Sequence, residues 1–306
     1  KLPVYFWIYG GGWQVGHASE MEFDGERIAR RGIVVVTINY RVNLFGFTCH
    51  PEITAEYPEA PANFGLLDQH KALTWVYKNI SNFGGDPEQI TIGGQSAGGG
   101  SVINQLAYKK NKPMIKRAVV ESGMFINPFM TMFPSRSLAD AEKIGQEFFE
   151  FCGVKNLKEA RELSTEFLFK KWDEWGGFPK SAMTWGPVND GSFICFNFFD
   201  AVEKGLIEVP PLLTGYTPDE FNFGPIGADK SEEINTVELA LRKLTNSLEK
   251  NGNKNKNFLY RFDVPIPGWD NPGRFHSVDL WFFFETLAKC WRPFKGFHYD
   301  VSRQMC

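Results

Sequence analysis

The chain has 306 residues, 43% hydrophobic and 23% charged, with 33 Lys+Arg against 36 Asp+Glu and a net charge of -3. These proportions belong to a globular chain and exclude wholesale disorder, and without a basic excess nothing supports nucleic-acid binding. No apolar run approaches the roughly 18 residues of a membrane-spanning helix.

Val4–Tyr9 is a short apolar run ending at Gly10-Gly11-Gly12, and it reads as a buried strand. Lys1-Leu2-Pro3 leads straight into it, as if the chain began inside a domain. Glu20–Arg31 reads as a helix closed by Gly32. Ile33–Tyr40 is a continuous apolar run, the mark of a strand covered on both faces in a parallel sheet. Leu66–Ile80 has helical spacing, and Gly84–Pro87 breaks the chain. Gln89–Gly93 then predicts a strand, Ala97–Tyr108 a helix and Lys116–Glu121 a strand. This alternation predicts an α/β fold with a mostly parallel sheet flanked by helices. From Ser137 to Trp175 the pattern turns helical, over Leu138–Cys152, Leu157–Leu163 and Thr165–Trp175. That suggests a helical insertion over about 133–180 within one domain spanning 1–306. Pro211–Thr217 resumes the strands, Asn235–Glu249 is helical, Phe258–Phe262 is a last strand, and Ser277–Ala288 predicts a helix.

Five cysteines (Cys49, Cys152, Cys195, Cys290, Cys306) lack CxxC spacing, which argues against a metal knuckle or a disulfide framework. They favour a reducing, cytoplasmic setting, although a chain that starts inside a domain would hide a signal peptide. HExxH, GxxxxGK[ST] and GxGxxG are all absent.

Gly94-Gln95-Ser96-Ala97-Gly98 matches G-x-S-x-G between a predicted strand and a predicted helix. There the pattern reads as a nucleophile elbow, a turn so tight that its neighbours must lack side chains. A Gly-rich turn without chemistry is the ordinary alternative. Gly10-Gly11-Gly12 resembles an HGGG-type loop, with Tyr9 in place of His. Such a loop aims backbone N–H groups at the charge of a tetrahedral intermediate, with Gly11, Gly12 and Ala97 as the donors. A serine nucleophile needs a base. In this fold the order is Ser, acid, His, which leaves His276 and His298. His276 lies in a loop after the last strand, whereas His298 reads as a surface or packing residue. His70 falls inside a helix, and His17 and His50 come too early. The acid should follow Pro211–Thr217, where spacing does not separate Asp219 from Glu220. Trp13, Trp185, Phe221 and Phe223 are candidates to line a substrate pocket, with core packing as the competing reading.

Taken together, these stretches resemble the type-B carboxylesterase family, relatives of the cholinesterases. Phe6–Trp13, Val35–Phe47 and Asn63–Gly100 carry most of the likeness. Glu121-Ser122-Gly123, Gly186–Gly191 and Cys290–Met305 add later landmarks. The resemblance is weakest over Phe133–Trp175 and Phe223–Lys256. It implies an α/β-hydrolase fold with nucleophile Ser96, acid Glu220, base His276 and oxyanion donors Gly11, Gly12 and Ala97. It also implies hydrolysis of small-molecule carboxylic esters through an acyl-serine, without metal or cofactor. A non-catalytic or inactive truncated binding relative is the alternative, and the oligomeric state stays open. Gln95 stands where many members carry Glu, which puts selectivity for cations in doubt. Fewer positions separate Glu220 from His276 than the family usually has. The family's early strands and its C-terminal end are expected to be missing.

Overall fold

The computed structural model describes residues 1–124, 127, 135–181, 184–220 and 236–306. Its strands are β1 (Leu2–Ile8), β2 (Val34–Thr37), β3 (Gly85–Gln95), β4 (Arg117–Glu121), β5 (Arg136–Ser137), β6 (Val188–Asn189), β7 (Leu212–Tyr216) and β8 (Asn257–Arg261). Six of them form one sheet in the order β2-β1-β3-β4-β7-β8. Every pairing in that sheet is parallel. β5 and β6 form a small separate ladder. In a parallel sheet all strands end on the same side, so the loops after β1, β3, β7 and β8 emerge together.

Burial explains the central strands. Val4 to Ile8 of β1 are all buried, and so are Ile90 and Ile92 of β3 and Ala118 to Val120 of β4. β2 departs from the expectation of a strand covered on both faces. It is shorter than the apolar run, and all four of its residues are only half-buried. Its position at the end of the sheet order, with β1 as its only strand neighbour among the described residues, accounts for that. β3 starts earlier than expected. Gly85 already pairs with Leu2, and the chain break is carried by Gly84 at φ +83°.

The helices are α1 (Glu26–Ala29), α2 (Asn43–Phe47), α3 (Pro51–Glu56), α4 (Phe64–Asn79), α5 (Ala97–Ala107), α6 (Leu138–Cys152), α7 (Leu157–Arg161), α8 (Thr165–Glu174), α9 (Gly177–Ser181), α10 (Phe198–Glu203), α11 (Thr236–Lys250), α12 (Leu280–Phe283) and α13 (Gly296–Met305). None is long and apolar enough to cross a membrane. α6 matches its predicted bounds because its ends are capped. The Ser137 hydroxyl accepts the Asp140 N–H at 3.2 Å, and Gly153 closes the helix at φ +77°.

Two predicted helices are broken. Glu20–Arg31 splits into a single 3-10 turn, Met21–Phe23, and α1. The chain between them passes so close to β2 that a Cβ on Gly25 would lie 2.5 Å from the Val35 side chain. Ser277–Ala288 yields only α12 and a 3-10 turn, because Ser277 and Glu285 take φ of +70° and +54°. Its aromatic run serves as a plug instead. Phe284 meets Trp7 of β1 edge-on, with ring centroids 4.8 Å apart, and so pins the late chain to the first strand.

Candidate active site

β3 delivers the chain to Ser96, and α5 carries it away. Ser96 sits at φ 57° and ψ -127°. A residue with a side chain holds such a conformation at a cost of order 1–3 kcal/mol, so the surroundings must impose it. Two backbone bonds do so: Ser96 N–H donates to the Glu121 carbonyl at 2.9 Å, and Gly100 N–H donates to the Ser96 carbonyl at 2.8 Å. The flanking glycines are a steric necessity. A Cβ on Gly98 would lie 2.0 Å from the Ile8 carbonyl oxygen, and one on Gly94 would lie 2.5 Å from the Gly98 carbonyl.

The loop after β1 folds against this elbow, since a Cβ on Gly10 would lie 3.0 Å from that of Ser96. Gly11 and Gly12 adopt φ of +103° and +64°, and Gly11 accepts the Gln14 N–H at 2.9 Å. The Gln14 side chain donates to the Gly12 carbonyl at 3.1 Å and to the Trp185 carbonyl, which fixes the loop from outside. Sequence reasoning missed this residue, and its only signal was its place just after the triple glycine. Ala97 opens α5, so its N–H has no carbonyl partner within the helix and lies at the positive end of the helix dipole. Tyr9, in place of His, stacks on Tyr40 at 4.5 Å, and Tyr40 donates its hydroxyl to the Tyr9 carbonyl at 2.9 Å.

The loops after β7 and β8 separate the two candidate acids. Glu220 Oε2 lies 2.5 Å from His276 Nδ1, and its Oε1 accepts the Thr217 N–H at 2.9 Å. Asp219 turns away. Its Oδ2 accepts the Arg274 N–H at 2.7 Å, and its backbone bridges Phe275, so it fastens the histidine loop. The other ring nitrogen, His276 Nε2, faces the amide of Gln95 at 3.3 Å, beside Ser96 in the chain. Gln95 is buried. If the amide nitrogen donates there, the ring is held as the tautomer with its proton on Nδ1 toward Glu220.

The remaining histidines have their partners elsewhere. His70 Nδ1 bonds the Asn111 side chain at 2.6 Å, and His50 stacks on Phe149 at 4.5 Å. His298 is buried, with Nδ1 accepting the Lys295 N–H and Nε2 on the Pro265 carbonyl, both at 2.9 Å. His17 is exposed and contacts Ser19. Trp13 and Trp185 both lie in the buried core. Trp13 donates its Nε1–H to Ser101 Oγ at 2.9 Å, and Trp185 packs edge-on against Phe148 at 5.5 Å. Phe221 and Phe223 lie outside the described residues. A surface cavity of about 570 Å³, lined by Leu106, Ile115, Arg117 and Pro211, sits at the starts of β4 and β7, opposite the end that carries Ser96.

The mostly parallel sheet flanked by helices, with a glycine loop after β1, a G-x-S-x-G turn after β3, a carboxylate after β7 and a histidine after β8, has the α/β-hydrolase fold. Residues 1–263 match the model of the carboxylesterase family, and the chain belongs to that family. It is 35% identical over 252 residues to the para-nitrobenzyl esterase of Bacillus subtilis (strain 168), covering 80% of this chain and 49% of the relative. It is 34% identical over 220 residues to the fumonisin B1 esterase of Sphingopyxis macrogoltabida, covering 72% of this chain and 39% of the relative. Among solved structures, a carboxylesterase of Geobacillus stearothermophilus superposes with a TM-score of 0.79 at 28% identity, covering 100% of this chain and 71% of that one. The chain thus spans well under two thirds of the length of these two curated relatives.

Proposed function

We propose that this chain carries the catalytic groups of a carboxylic-ester hydrolase. The observation that carries the reading is the 2.5 Å contact of His276 Nδ1 with Glu220, with Nε2 turned toward the Gln95-Ser96 elbow. In the proposed reaction His276 Nε2 takes the Ser96 hydroxyl proton as Oγ attacks the ester carbonyl. Glu220 keeps the imidazolium oriented and does not itself take the proton. Charge then develops on the carbonyl oxygen, where the N–H groups of Gly11, Gly12 and Ala97 receive it, each donor typically contributing about 3 kcal/mol. His276 passes its proton to the leaving alcohol, and water repeats the cycle on the acyl-serine. Relatives named as esterases of para-nitrobenzyl and fumonisin substrates support esters as the substrate class. The same groups serve amide, lactone or carbamate cleavage, which is the second chemistry to assay.

A fluorophosphonate probe tests this directly. Labelling should map to the peptide that holds Ser96 and vanish in Ser96→Ala. Glu220→Gln should slow it by about 10³-fold or more, and Asp219→Asn by less than about tenfold. Folded protein that stays unlabelled would point to the non-catalytic alternative.

A further inference from the structure

The cavity of about 570 Å³ at the starts of β4 and β7 lies away from Ser96 and has no part in the ester reaction above. Its walls are apolar: Leu106 at the end of α5, Ile115 before β4, and Ile207 and Pro211 before β7. Leu206 stands at the same wall and is 45% exposed. The wall is held by its own hydrogen bonds. Asn253 and Asn255 donate their side-chain amides to the Val209 carbonyl at 3.2 and 2.9 Å, and Ala118 N–H donates to the Pro211 carbonyl at 3.0 Å. A concave site of this volume with fixed apolar walls has the proportions of a small-molecule pocket.

The charge around the cavity is one-sided. Lys109, Lys112, Lys116 and Arg117 line it, and Glu208 is the one carboxylate among its lining residues. The chain as a whole carries -3, so a local surplus of three positive charges runs against the average. Solvated faces normally intersperse the two signs. Lys116 and Arg117 stand side by side where β4 begins, and the Lys116 N–H donates to the Ile90 carbonyl at 2.9 Å, which fixes the backbone between them. Arg117 Nη1 donates to the neutral Gln89 side chain at 3.0 Å. Lys112 meets Glu208 at 3.0 Å, tying the turn after α5 to the loop before β7. Lys109 and Lys116 meet no carboxylate among the described residues.

We propose that this cavity binds a soluble organic phosphate: a phosphate monoester whose apolar or aromatic body lies against the walls while its head meets the cations. A phosphate monoester brings a charge of about -1.5 to -2 at pH 7, where a carboxylate brings one, so it answers the surplus more closely. An arginine fork takes two phosphate oxygens at once, which suits Arg117, and lysines serve as point charges beside it. Glu208 competes with the ligand for Lys112. The inference goes beyond the ester-hydrolase reading and does not depend on it.

The experiment is calorimetric titration of the purified chain with 1-naphthyl phosphate at low salt. Saturable binding at one site per chain is expected. 1-Naphthoate keeps the body with a single charge and should bind at least about fivefold more weakly. Inorganic phosphate lacks the body and should bind at least about tenfold more weakly. The double variant Lys109→Gln, Lys116→Gln should weaken 1-naphthyl phosphate by at least about tenfold, whereas Glu208→Gln should tighten it by about threefold. These substitutions act with opposite sign on a folded protein, so a general loss of structure does not mimic the pair. Absent binding, unchanged affinity in the lysine variant, or naphthoate or inorganic phosphate binding as tightly as the ester, overturns the proposal. Sedimentation with phosphatidate vesicles and no heat from 1-naphthyl phosphate would assign the charge to a lipid surface and overturn it too. Turnover of p-nitrophenyl butyrate should stay within about twofold in both variants, because neither touches Ser96, Glu220 or His276. Wild-type protein that binds 1-naphthyl phosphate but turns over no ester would contradict the hydrolase reading alone.

Discussion

At the residue scale, Gln95 makes the clearest difference. Its amide faces His276 Nε2 at 3.3 Å from a buried position. A carboxylate there would sit against the imidazolium and favour the protonated ring. Gln95→Glu should therefore move the acid limb of kcat/KM upward by about one unit. The base would then be blocked by protons over more of the acid range, so activity at pH 6 should fall more than activity at pH 8. A profile that stays in place would show that the amide contact does not persist in solution. The residue scale is also where the sequence was most and least legible. The turn at Ser96 and the glycine loop before it could be read as shapes, because close backbone approaches leave glycines behind. The choice of Glu220 over Asp219 could not be read from spacing. It depends on which of two adjacent carboxyls turns toward a ring 56 positions away, and that follows from the backbone bridge between Asp219 and Phe275. Trp13 and Trp185 illustrate the same limit, since an aromatic beside a glycine loop has the same letters whether it faces a pocket or the core.

At the element scale, the elbow works because three chain segments touch without side chains between them. Gly98 is the tightest point, with the Ile8 carbonyl 2.0 Å from where a Cβ would be. That neighbour is backbone inside a six-stranded sheet, and it cannot step aside. Gly98→Ala should cost about 3 kcal/mol or more in urea denaturation and remove turnover with it. Gly296→Ala is the matched control. Gly296 opens α13 with nothing within 4 Å of the added methyl, so stability should hold or rise slightly. Equal losses in the two variants would mean that contact at the elbow is not what limits the site. Elements whose ends are written in local chemistry, such as α6 with Ser137 and Gly153, were readable to the residue. The Ser277–Ala288 segment was not, because Ser277, beside His276, and Glu285, paired with Arg31, take positive φ values that interrupt a helix.

At the scale of the whole molecule, the groups of the site come from distant parts of the chain, and packing between those parts sets their distances. The segment that follows His276 is tied back to the beginning of the chain. Arg31 pairs with Glu285 at 2.7 Å, the Thr286 hydroxyl donates to the Glu22 carbonyl at 2.7 Å, and Trp7 meets Phe284. The order of the parallel strands then brings the loops after β1, β3, β7 and β8 to one edge. The alternation of strands and helices made that architecture legible. The half-buried state of β2 was not, because an apolar run looks the same at a sheet's edge as at its centre. The claim that rests on the whole arrangement is that these groups act together on an ester. The most direct test is steady-state hydrolysis of p-nitrophenyl butyrate by the purified chain and by Ser96→Ala, with both shown to be folded by circular dichroism. The assembled site predicts saturable turnover in the first and a loss of at least about 10³-fold in the second. Equal rates in the two proteins, or folded wild-type protein with no turnover above the buffer, would contradict it.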